Sequence, residues 1–427
     1  GVLGTSDDGL YPATESLLVN AGANELNPEG TDIAGNSRIY QTIDIGAYEM
    51  QTPVLKPDVN NTIYVDKNIE GGNEDGSNWD NAVPELAMAL EWAKRNETSW
   101  SESNTLKVWV ARASYTPGVN EKDSFTIPGY VEVLGGFNGA ETSITQRDWV
   151  ANPTILSGDL NKDQTENIGD SHTVVTMVGN QAMLNGFYIQ GGYADDATDD
   201  ALIAIGRAGA GVYNNGDNSI YNCVFRNNTA ATASGIGGAL VSFGGTIALI
   251  NTLMYANEAT ANGGAISAEG GTINMINCTI ADNKANRGGG VHFFRGSIDA
   301  SNTIFSNNEG INGNFNNDGG SGTGTANHCL FFNETSGNSG TLPVGIIGAN
   351  NIIELAPEFL NDYILKNTSA AINSGSNEAY IQAVGDLDID IDLAGNPRLI
   401  EGIIDIGTYE VPSFDLKPNT NNILFVN

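Results

Sequence analysis

The chain has 427 residues, with 51 Asp and Glu against 18 Lys and Arg, for a formal net charge of −33. Such a surface repels nucleic acid and anionic lipid, and no run approaches the roughly 18 apolar residues of a membrane span, so nucleic acid and direct membrane insertion are excluded as partners. With 53 Gly, only 16% charged residues and no sustained helical period, the composition favours one elongated solenoid over a string of compact domains.

Residue 1 opens mid-pattern, without a signal peptide. Three early motifs return near the end: Asn20-Ala-Gly22 as Asn373-Ser-Gly375, Asp32-Ile-Ala-Gly-Asn36 as Asp392-Leu-Ala-Gly-Asn396, and Asp44-Ile-Gly-Ala-Tyr-Glu49 as Asp405-Ile-Gly-Thr-Tyr-Glu410. Leu55-Lys-Pro-Asp58 and Asn61-Thr-Ile-Tyr-Val-Asp66 return as Leu416-Lys-Pro-Asn419 and Asn422-Ile-Leu-Phe-Val-Asn427, at an offset of 361. These correspondences divide the chain into the C-terminal part of a preceding module (1–54), one complete module (55–415) and the first strand of the next (416–427). Neighbouring modules of the same chain are therefore expected partners.

Asn81 to Arg95 reads as a helix, with Pro84 in its first turn and Leu86, Ala89, Leu90 and Ala93 as an apolar stripe suited to capping an open hydrophobic column. Strand patterns follow at 106–111, 130–134, 173–178 and 183–189. Trp79, Trp92 and Trp109 are expected to pack near the cap, while Trp100 and Trp149 lie in loop-like stretches where they could stack on sugar rings. Asp159, Asn161 and Asp163, followed by Glu166 and Asp170, have the alternating oxygen spacing of a calcium loop, without the Gly and terminal Glu of an EF-hand. An excursion between Gly192 and Gly209 carries Asp195, Asp196, Asp199 and Asp200.

From about 205 to 335 the pattern becomes regular. Five segments align: Asn222-Cys-Val-Phe-Arg-Asn-Asn228 and those beginning at Asn251, Asn277, Asn302 and Asn327, stepping by 29, 26, 25 and 25 residues. A glycine column (Gly209, Gly237, Gly263, Gly288) runs between them. Positions two apart on a strand share a face, so Cys223, Thr252, Cys278, Thr303 and His328, with Phe225, Met254, Ile280, Phe305 and Leu330, should fill the interior. Asn at the strand ends suits left-handed turns and can bond to the Asn one rung away. This is a coil repeat of a right-handed parallel β-helix, all-β apart from the capping helix. Cys223 and Cys278 fall two rungs apart, about 9–10 Å and beyond disulfide reach, so they should be buried free thiols.

Near the end, Asp386, Asp388, Asp390 and Asp392 alternate with apolar residues and would share one face of a strand, either solvated or bridged by a cation. The candidate Ca²⁺ ligands are thus Asp159, Asn161, Asp163 and Glu166, with Asp388 and Asp390. His172, His292 and His328 follow no catalytic spacing, and no catalytic residue or required cofactor is assigned.

The alternation of Gly263-Gly-Ala-Ile266 corners with Phe225-Arg-Asn-Asn228 strands resembles the polymorphic outer-membrane protein repeat. The wider layout resembles the right-handed β-helix surface proteins of Bacteroidota. It runs from Ile63-Tyr-Val-Asp66 through Gly76-Ser-Asn-Trp79, Val108-Trp-Val-Ala111, Tyr115-Thr-Pro117 and Gly135-Gly-Phe137 to Gln146-Arg-Asp-Trp149, Ile155-Leu-Ser-Gly-Asp159, Leu184-Asn-Gly-Phe187 and the closing Asp405-Ile-Gly-Thr-Tyr-Glu410. The resemblance covers nearly the whole chain and implies large, type IX-secreted proteins of the cell surface, including gliding adhesins. Two readings follow: a non-catalytic adhesin or stalk module, or a carbohydrate-active or glycan-binding β-helix whose ligands are surface glycans.

Overall fold

The computed structural model describes residues 55–163, 167–196, 208–317, 320–333, 342–343, 345–385 and 390–412, and short pieces at 22, 30–33, 43 and 45–47. Among the described residues the strands form four sheets of ten, nine, seven and five strands, and every strand pair is parallel. One coil shows the plan. Val212–Asn215 joins the seven-stranded sheet, Asn218–Tyr221 the ten-stranded, Val224–Arg226 the nine-stranded and Thr229–Ala230 the five-stranded. Each strand then pairs with its equivalent one coil on, as Phe225 does with Met254 and Met254 with Ile280. The chain is a parallel β-helix.

The corners follow from the residues placed there. Gly209, Gly237, Gly263 and Gly288 all have φ between 57° and 67°. A Cβ on Gly263 would lie 2.2 Å from the Ile266 carbonyl oxygen, so only glycine fits. Asn222, Asn251, Asn277 and Asn302 turn the next corner with φ of 49–50°. The second Asn column is buried and continuous: Asn228 donates to Asn257 (2.9 Å), Asn257 to Asn283 (2.9 Å) and Asn283 to Asn308 (3.0 Å).

The interior column contains Phe225, Met254, Ile280 and Phe305 as expected, but the last coil shifts by one residue. Phe305 pairs with Phe331, not Leu330, and their rings stack at 5.2 Å. Cys329 therefore joins the buried column in place of His328, which sits at the Asn corner with φ 51° and is half-buried. The column thus reads Cys223, Thr252, Cys278, Thr303, Cys329, with a threonine between successive thiols; all three cysteines are buried and free. Burial pushes each thiol up to about 12. Thr252 Oγ1 and Cys278 Sγ both reach the carbonyl two residues back. Cys278→Thr is accordingly expected to cost less than about 1.5 kcal/mol, a value that denaturant titration would read.

The helix (α1, Leu86–Arg95) starts later than the sequence suggests. Val83 bridges to Val65 as strand, and a 3₁₀ turn at Trp79–Asn81 precedes it. Its buried face is Leu86, Ala89, Leu90 and Ala93, continuous with the coil interior, so it does cap the column. The run 183–189 is two strands in different sheets, Met183–Asn185 and Phe187–Gln190, because Gly186 (φ 87°) turns between them.

The residues after the coils return along the outside. In the nine-stranded sheet the outward column is Tyr188, Val224, Leu253, Thr279, Ile304 and Leu330, mostly apolar. The tail covers it: Leu365, Ala371 and Ile406 pack on Ile304 and Leu330, while Leu393, Tyr363 and Tyr409 pack on Val224 and Leu253. A second helix (α2, Asn377–Val384) places Tyr380 against Ile250, the last residue of a central strand of the ten-stranded sheet.

Candidate functional site

The tail is fastened to the Asn corner by a buried polar cluster. Arg398 is 0% exposed; its Nη2 donates to Asn251 Oδ1 at 2.7 Å and to the Gly407 carbonyl at 2.9 Å, and its Nη1 lies 3.7 Å from Glu410 Oε1. The corner ladder is broken there. Asn251 and Asn302 donate to the Asn one rung back, but Asn277 Nδ2 donates instead to the Asp405 and Gly407 carbonyls of the tail. Arg398 takes the acceptor thus released. Asp392 accepts the backbone N–H of Ala394, Asn396 and Glu410, and Asp405 accepts those of Asn373 and Val411. Trp149 Nε1 donates to the Leu393 carbonyl at 3.0 Å.

Burial pushes the Glu410 carboxyl up to about 8 and that of Asp405 to about 6, against the pull of Arg398. Both carboxyls bind protons more tightly folded than unfolded, so their contribution to stability falls as pH rises through about 4 to 8 and is flat above. Hydrogen exchange of the tail amides is expected to give an opening free energy about 1–3 kcal/mol larger at pH 5.5 than at pH 8.5. Glu410→Gln should remove most of that difference; an unchanged slope would show that other groups carry it.

The second feature is a groove on the open outer face of the ten-stranded sheet. A cavity of about 640 Å³, lined by Glu102, Glu132, Asp217 and Tyr221 among others, adjoins one of about 320 Å³ lined by Asp299, Gln382 and again Tyr221. Burial raises the Glu132 carboxyl, with Lys107 opposing. Asp217 accepts the Thr246 N–H, and Asp299 accepts the Thr325 hydroxyl. Among the described residues, no His, Lys or Arg lines either cavity.

Each histidine is held within the framework. His172 Nε2 lies 3.1 Å from Asp195 and 3.9 Å from Glu121. His328 bonds the Ser374 carbonyl and Asn350. His292, Ser267 and Glu269 look like a hydrolase triad but are wired differently. Ser267 Oγ (3.5 Å) and Glu269 Oε1 (3.6 Å) approach the same ring nitrogen, Nδ1, and Ser267 donates to Glu269 at 2.7 Å. A relay needs hydroxyl and acid at opposite nitrogens. Burial pushes the Glu269 carboxyl up, but the hydrogen bonds of His292 and Ser267 outweigh it and hold it below its ordinary range.

Of the candidate cation ligands, Asp159 Oδ1 and Asn161 Oδ1 both accept the Asp163 N–H, and Asp163 Oδ2 accepts from Asn167. Glu166 and Asp388 lie outside the described residues, as do Asp386, Asp199 and Asp200. Asp390 accepts the Tyr380 hydroxyl at 2.5 Å and the Ile391 N–H. The Asp392 end of that run is a buried turn cap and not part of a four-carboxylate strand. Among the described residues, no three His, Cys, Asp or Glu side chains converge as metal ligands would. Trp100 and Trp149 are each only 8% exposed, with Nε1 of Trp100 bound to the Ala93 carbonyl, so neither offers a face for sugar stacking.

Fold and cluster together define a solenoid of the parallel β-helix class with a tail fastened along its side. No family model, curated protein or solved structure matches the chain.

Proposed function

We propose that the chain is a non-catalytic module of a large secreted cell-surface protein, serving as a stalk or adhesin whose partners are further modules of the same kind. The observation that carries this reading is where the recurring residues go. Asp392, Arg398, Asp405 and Glu410 each have a counterpart in the first 54 residues (Asp32, Arg38, Asp44, Glu49), and all four belong to the cluster through which Arg398 joins the tail to the coils. Motifs spent on packing suit a repeated mechanical unit. The −33 charge keeps a long rod soluble and disfavours self-association.

The groove supports a second reading, a site for an extended neutral glycan. Its lining is polar, runs across successive coils and offers carboxylates and Tyr221 as hydrogen-bonding groups. Its carboxylates would repel a uronate chain. The full chain incubated with neutral and acidic polysaccharides, with and without Ca²⁺, is expected to yield no new reducing or unsaturated ends. Cleavage of any polymer with turnover would overturn the non-catalytic reading.

A further inference from the structure

The tail crosses the coils at a cluster of tyrosines. Tyr188 and Tyr255 stand on the outer face of the nine-stranded sheet, and Tyr363 and Tyr409 of the tail pack there with Val224, Leu253 and Leu393. The rings of Tyr255 and Tyr363 meet: their centroids lie 4.9 Å apart with the planes inclined at 41°, and among the described residues no other two tyrosine rings make such a contact. Both are half-buried. Asp362 (φ 58°) and Tyr363 (φ 63°) are consecutive non-glycine residues in the left-handed region, a costly backbone that persists only where its surroundings over-determine it. Contact at both ends of the Tyr363 side chain does so. Its ring also packs on Phe359, and its hydroxyl donates to Asp282 Oδ2 at 2.8 Å. Burial and the Asp282 carboxylate push that hydroxyl above the ordinary phenol range, so it keeps its proton at neutral pH. The Tyr255 hydroxyl accepts from Arg226 Nη1 at 3.4 Å, and Arg226 Nε donates to Gln190 at 2.9 Å.

We infer that Tyr255 and Tyr363 are a site of oxidative cross-linking, at which a peroxidase-type one-electron oxidant using hydrogen peroxide joins the two rings and locks the tail covalently to the coils. Each phenol gives one electron to the oxidant. The Tyr363 proton passes to the Asp282 carboxylate, which is exposed and returns it to solvent, and Tyr255 releases its proton to solvent. Losing the electron without the proton would leave a radical cation in an apolar cluster, so a carboxylate at hydrogen-bond distance favours this tyrosine. The two neutral phenoxyl radicals couple through ring carbons ortho to the oxygens. The hydrogens at the new carbon–carbon bond then leave as protons while both oxygens take protons back. In sum the pair loses two electrons and two protons, and one hydrogen peroxide takes them up to give two waters. Rings already in contact couple within one molecule, without an encounter between two. The three cysteines, which would otherwise be oxidised first, are wholly buried and do not compete. The bond would hold the tail independently of the Arg398 cluster and constrain the unfolded chain. The inference stands whether the module serves as a stalk or binds a glycan.

The test treats the full chain, dilute enough to suppress encounters between molecules, with a haem peroxidase and limiting hydrogen peroxide. Peptide mapping of the monomer by mass spectrometry is expected to recover one predominant linked pair, the peptides of Tyr255 and Tyr363 less two hydrogens, with the blue fluorescence of a biphenol. Tyr255→Phe and Tyr363→Phe should each abolish that pair and its fluorescence although the other tyrosines remain. Asp282→Asn, which keeps both rings, should slow linking about tenfold. Links spread over other tyrosines, links only between molecules, or variants that fluoresce like the unaltered chain overturn the inference.

Discussion

Replacing Arg398 by Met is expected to weaken tail docking by about 3–5 kcal/mol while leaving the coils folded. The guanidinium is wholly buried among Glu410, Asp405, Asn251 and the Gly407 carbonyl, and its Nε makes no hydrogen bond. Such a cluster is not a strong net source of stability, because desolvation offsets much of the attraction. Removing the guanidinium is another matter, since it leaves the Asn251 and Gly407 acceptors without their donor and the two buried carboxyls without the one charge that opposes their desolvation. The readout is local. Proteolysis should cut within 390–412, and the uncovered Val224, Leu253, Ile304 and Leu330 should bind a hydrophobic dye, with far-ultraviolet ellipticity retained. Loss of the whole β-sheet signal in one step would mean that the tail and coils are a single cooperative unit.

Asn257→Leu should be nearly as costly, at about 3 kcal/mol. Asn257 Oδ1 accepts from both the backbone and side chain of Asn228, and its Nδ2 donates to Asn283, Phe225 and Tyr255. Leucine is close in volume, so the loss comes from groups left unsatisfied in a dry interior and not from a cavity. Asn286→Leu, at an exposed position on the neighbouring coil, should stay within about 0.5 kcal/mol. Chemical denaturation of the two variants compares them directly, and equal costs would show that the Asn ladder does not stabilise the coils.

The coils were legible because their determinants are local and recur. Left-handed φ at Gly and Asn, and a single inward residue between small ones, leave the same mark in every turn of the stack. The final coil misled because Asn327 sits one residue before the position that His328 actually fills, and a parallel register absorbs such a slip only in three dimensions. The tail motif was visible as a repeat, but its role was not. Its contacts reach across 147 residues from Arg398 to Asn251 and 244 from Trp149 to Leu393, beyond any periodic signal. One signal was available. Val224, Leu253, Ile304 and Leu330 are apolar on the face opposite Phe225 and its equivalents, and a strand apolar on both faces is covered on both. Read that way, the outward column implies a covering segment. Trp149 would then be expected to lie under it and not in solvent.

Hydrogen exchange on the unaltered chain tests the stapled module most directly. Amides of 390–411 engaged with the cluster, such as Glu410, Val411 and Gly407, should exchange as slowly as those of the nine-stranded sheet beneath them. Fast exchange across that segment, with the coils still protected, would show that the repeated motif does not hold the tail on the coils.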